Sequence, residues 1–124
     1  SEAVIAHPSL IRKHLKALVL NLDRPAQHEA VKRNTVRILQ FIKIPLSLQG
    51  LVMDKCFRYL TNPAEKPAVK ASCLTIIHHL SQKHPEISNE LLAIIHQQWD
   101  NESKAFRSRA SAILKALSAE NLNR

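Results

Sequence analysis

Residues 68–80 read AVKASCLTIIHHL, and without a gap they align with AVKRNTVRILQFI at 30–42 and AFRSRASAILKAL at 105–117. The offsets are 38 and 37 residues. In the three copies an apolar stripe falls at 31, 35, 38, 39 and 42; at 69, 73, 76, 77 and 80; and at 106, 110, 113, 114 and 117. Spacing of i, i+4, i+7, i+8, i+11 belongs to a helix with one buried face, not to the alternation of a strand. Each copy opens on an alanine, Ala30, Ala68 and Ala105, small enough to let helices approach closely there.

Three further stretches with helical spacing flank these copies. They carry Leu10, Ile11, Leu15, Leu18, Val19 and Leu22; Leu48, Val52, Met53, Cys56 and Leu60; and Ile87, Leu91, Leu92, Ile95 and Trp99. Pro8, Pro45 and Pro85 open or precede them, while Pro25 and Pro63 open the segments that follow. Proline suits a first helical turn because the N–H it lacks has no intrahelical partner there. The pattern predicts helices over about 8–22, 26–43, 46–60, 64–83, 86–99 and 102–119, joined by short connections into three hairpins. Asn62 followed by Glu65 suggests a capping box. Pro67 is too deep for an undistorted first turn, so either a kink near Lys66 or a separate short turn before the main helix is expected.

Composition agrees. The chain has 124 residues, 45 % of them hydrophobic and 23 % charged, as expected of one folded domain. Its single glycine, Gly50, excludes glycine-rich phosphate loops and dinucleotide fingerprints and leaves little material for tight hairpins. The strictly apolar runs, such as Ala17–Leu20 and Leu91–Ile95, are far short of a membrane span, and no signal-type segment opens the chain; a cytoplasmic protein is expected. Cys56 and Cys73 lack metal-type spacing and read as buried reduced thiols.

The copies beginning Ala30-Val31-Lys32, Ala68-Val69-Lys70 and Ala105-Phe106-Arg107, each preceded by a turn carrying Asp23, Asn62 or Asp100, resemble HEAT repeats within the armadillo-like helical superfamily. Tetratricopeptide repeats compete, but their Trp, Gly and Tyr signature is missing and the period overshoots 34. The resemblance implies an all-α, right-handed α-α superhelix of about three HEAT-like hairpins forming a single domain over 1–124, with repeats at roughly 8–43, 46–83 and 86–119. Ala6-His7-Pro8 matches Lys83-His84-Pro85, so residues 1–6 read as the end of a preceding helix.

A net charge of +8 favours anionic partners. The basic column Lys32, Lys70 and Arg107 has two readings: a ladder gripping an acidic ligand, or internal pairing with turn acids such as Asp23 and Asp100. Opposite the stripe, the second (B) helices present Arg33, Arg37 and Gln40; Ala71, Thr75 and His78; and Ser108, Ala112 and Lys115. The resemblance places this face on the concave surface, with Lys43, His79, Lys83, Lys104 and Arg109 nearby. Candidate partner contacts are therefore Arg33, Arg37, Lys70, His78, Arg107 and Lys115.

No catalytic constellation can be assembled, and His78-His79-x4-His84 lacks paired-ligand spacing, so neither metal nor cofactor is expected. Cys73 and Trp99 sit in core columns. The reading is a non-catalytic protein-interaction scaffold whose B-helix face binds an acidic or extended protein partner. The alternative is nucleic-acid backbone binding in a basic groove, as in HEAT-like DNA glycosylases; with aromatics at only 4 %, stacking groups are scarce.

Overall fold

The computed structural model describes residues 8–22 and 29–122, so the expectation for residues 1–6 and the role of Asp23 lie outside the described residues. Among the described residues there are six α-helices and no strand: α1 (Pro8–Leu20), α2 (Glu29–Leu39), α3 (Leu46–Thr61), α4 (Pro67–Ser81), α5 (Glu86–Gln98) and α6 (Lys104–Leu122). A 3₁₀ turn, Trp99–Asn101, joins α5 to α6. The expected all-α repeat is what forms.

The helices stack with translational order. α1 packs on α3; α2 packs on α4, and α4 on α6, so each second helix meets the second helix of the next hairpin. α4 also contacts α3 and α5 and is the hub of the molecule. Its Val69, Cys73, Leu74, Ile76 and Ile77 are fully buried, and even Lys70, Ser72 and Ser81 are covered. Each such aliphatic side chain contributes about 1.5–3 kcal/mol by leaving water.

Local chemistry sets the helix boundaries. Pro67 occupies the first turn of α4, and the chain before it forms a separate turn instead of a kinked helix starting at 64. No capping box forms. Asn62 ends α3 and its Oδ1 accepts the Ala64 N–H at 3.0 Å, while the Glu65 carboxylate accepts the Lys66 N–H at 3.1 Å and turns inward. At α6 the cap is Ser103, whose Oγ accepts the Phe106 N–H at 3.0 Å.

The stripe is not equally buried in its three copies. Positions 69, 73, 76, 77 and 80 are buried, as are 106, 110, 113 and 117, with Leu114 partly covered. In α2, however, Val31 is 37 % and Ile38 47 % exposed, against 0 % for Val69 and Phe106 and 0 % and 4 % for Ile76 and Ile113. Val36 and Leu74, outside the expected stripe, are fully buried. Each B helix thus has two flanks as well as an inner face, and a flank is covered only where a neighbouring repeat lies beside it.

Candidate protein-binding face

The column Lys32, Lys70, Arg107 joins each repeat to a turn. Lys32 Nζ lies 2.8 Å from Glu65 Oε1, and Lys70 Nζ lies 2.6 Å from Glu102 Oε2. Both acids occupy the turn that opens the next B helix, three residues before Ala68 and Ala105. Arg107 bonds backbone instead, donating to the carbonyls of Glu102 at 2.7 Å and Trp99 at 3.4 Å. Internal pairing is therefore the arrangement of this column, with Glu65 and Glu102 in the places expected of Asp23 and Asp100; Asp100 is exposed. Burial works against the charge on Lys32, yet bonding to Glu65 and the nearby Glu29 outweigh it and hold its pKa above the ordinary 10.5. The same ammonium lies 4.8 Å from the centre of the Tyr59 ring.

Of the three columns assigned to the ligand face, two are flanks. Gln40 and Ala71 are buried, and Gln40 Nε2 donates to Ser72 Oγ at 3.5 Å across the α2–α4 contact. Arg109 of α6 donates to Gln40 Oε1 at 3.0 Å, to the Ala71 carbonyl at 3.3 Å and to the Thr75 hydroxyl, tying all three repeats together. His78 Nε2 lies 3.3 Å from Glu120 Oε1, which also accepts from Gln82 at 3.0 Å. Among the candidate contacts, then, Lys70, His78 and Arg107 are engaged within the fold, whereas Arg33, Arg37 and Lys115 are exposed.

The column that faces outward is 37, 75 and 112, exposed at Arg37 and Ala112 and half-buried at Thr75, and it is bordered by 30, 68 and 105 and by 41, 79 and 116. It is a run of small residues, Ala30, Ala68, Ala105, Ala112 and Ala116, from which Arg37, Phe41 and His79 stand out, Phe41 at 79 % exposure. No carboxylate belongs to these nine positions. Beside them, at the C-terminal ends of α2 and α4, lies an open depression of about 130 Å³. Its apolar lining includes Ile42, Ile76 and Leu80, and Lys43, His79 and Lys83 bring cationic or titratable groups to it. That volume suits one aliphatic side chain. The sequence missed this feature because it depends on where two helices end relative to each other.

With the stacked hairpins in place, one comparison decides the family: a model of the HEAT repeat domain matches residues 3–117. The chain belongs to the HEAT-repeat family. HEAT repeats generally mediate protein–protein interactions, and the family is typically non-catalytic. Neither a curated protein nor a solved structure matches the chain significantly.

In this HEAT-repeat protein the histidines of the 78–84 cluster serve separate contacts. The rings of His78 and His79 are 6.2 Å apart, and His84 Nε2 lies 2.7 Å from Gln49 Oε1, away from the Glu120 contact of His78. Among the described residues no three His, Cys, Asp or Glu side chains gather into a metal-binding group. Cys56 and Cys73 are buried free thiols. The hydrogen bond that its S–H makes to Cys56, together with burial, pushes the Cys73 thiol well above its ordinary pKa, the opposite of what a nucleophile needs. No described helix is long and apolar enough to cross a membrane.

Proposed function

We propose that this chain is a non-catalytic protein-interaction scaffold that holds an extended acidic segment along the open column of its B helices, the concave side of the stack. The observation that carries the reading is the column itself. A floor of alanines leaves room for a polypeptide backbone, Arg37 offers positive charge and His79 a ring hydrogen bond, and the absence of carboxylates there removes repulsion. The neighbouring depression supplies an apolar anchor point beside Lys43 and Lys83. Arg33 and Lys115 extend the positive field to either end of the face.

Fluorescence anisotropy tests this with a labelled peptide of glutamates around a central leucine, and with a duplex DNA of similar charge. The peptide binds, and Ala68→Glu with His79→Glu, both at exposed positions of α4, weakens it at least about tenfold. Unaltered peptide affinity in that variant would refute the site. If only the duplex binds, with an affinity that collapses between about 50 and about 200 mM salt, the nucleic-acid reading replaces this one.

A further inference from the structure

The repeated columns allow the first B helix to be compared with its successors, and it is unfinished on one side. In α4 and α6 the flank formed by positions 69, 72 and 76 and by 106, 109 and 113 meets the preceding B helix: Ser72 bonds Gln40, and Arg109 bonds Gln40, Ala71 and Thr75. The equivalent flank of α2 is Val31, Asn34 and Ile38, all exposed, with the 79 % exposed Phe41 at its border. The opposite end of the stack differs. There the columns that are buried as Val36 and Leu74, and covered as Gln40 and Ala71, become Ser111, Lys115 and Ser108 on α6, a polar outer surface of the kind that terminal repeats require.

Charge is as uneven as burial. Residues 8–43 contain eight basic and two acidic residues, whereas 44–124 contain ten and seven. Lys13, Lys16, Arg33 and Arg37 are exposed on α1 and α2, and the one carboxylate of those two helices, on Glu29, lies 3.6 Å from Lys32.

We propose that the open flank of α2 docks an amphipathic α-helix of another polypeptide, with apolar residues at i, i+3 or i+4, and i+7 and with aspartates or glutamates beside them. The contact continues an interface the molecule already builds twice, α2 on α4 and α4 on α6. The exposed Arg33 and Arg37 of the same helix, within the most basic part of the chain, favour the acidic rim. A second copy fits poorly. A two-fold pairing would bring Arg33 and Arg37 of two +8 chains together, and a head-to-tail pairing would set Ser108, Ser111 and Lys115 against Ile38. This surface adjoins the open column, with Arg37 and Phe41 at their common edge, but Val31, Asn34 and Ile38 belong to the flank alone and the proposal does not depend on the column.

The probe is a labelled helical peptide of roughly 20 residues with a leucine seam and glutamate flanks. Val31→Ser with Ile38→Ser, at two solvent-exposed positions, keeps the helical circular dichroism spectrum and weakens the peptide at least about tenfold, while Ala68→Glu with His79→Glu leaves its affinity within about twofold. A photo-crosslinking residue at Asn34 captures the peptide. Three results would overturn the proposal: no binding at about 50 mM salt, equal binding by the α2 variant, or an Asn34 crosslink that yields a homodimer or joins residues 1–7 of the same chain even with peptide present.

Discussion

Lys70 and Glu102 show how much a single pair can matter. Their side chains are 5 % and 10 % exposed, so each charge has lost nearly all its water and depends on the other. Removing one partner leaves the second buried and uncompensated: Lys70→Met should lower the unfolding free energy by about 3–5 kcal/mol in urea titrations, and adding Glu102→Leu should restore most of it. A loss under about 1 kcal/mol in the single variant would mean that water reaches the carboxylate. Lys32 makes the pH prediction. Its pKa is raised above 10.5 in the folded chain, so its contribution is complete below that value and disappears as pH climbs through the folded pKa. The stability gap between the wild type and Lys32→Met should therefore be constant from neutral pH to about 10 and shrink above it; a gap that widens there would contradict the pairing with Glu65.

At the scale of the helix, α3 contains the chain's single glycine, and nothing lies within 4 Å of the Cβ that another residue would place there. Gly50 has no positive φ, so its flexibility only increases the entropy lost on folding. Gly50→Ala should raise stability by about 0.5–1 kcal/mol, measured as a shift in the urea midpoint with unchanged slope; destabilisation would reveal a close contact. The helices themselves were legible because proline and a 3.6-residue period act within a few neighbouring residues. Pro67 foretold an interruption, and a separate turn is the form it takes. The capping box at Asn62 failed because the Asn62 N–H bonds the Tyr59 carbonyl while the Glu65 carboxylate turns to Lys32, 33 residues away, and no local pattern carries that competition.

For the whole molecule, periodicity disclosed the stack but not its flanks. Gapless copies showed which side of each helix turns inward; whether Ile38 resembles Ile76 and Ile113 depends on a preceding B helix, which α4 and α6 have beside them and α2, among the described residues, does not. The same reason accounts for the candidate face. Arg37 was legible as open to solvent, whereas Gln40, Ala71 and His78 looked equivalent to it until the next helix was seen lying against them. In the sequence Arg109 is only another nearby cation, although in the fold its guanidinium reaches two other repeats.

The lysine-to-turn pairs also divide the polypeptide in a second way. They link 32 with 65 and 70 with 102, so a cut anywhere inside either interval separates a cation from its counter-ion, while a cut at 66–69 separates neither. Segments exchanged or duplicated during evolution would join most smoothly at the start of α4, in the middle of what the helices define as one hairpin. Engineers who wish to lengthen this protein should splice there, and not in the loops that the eye selects.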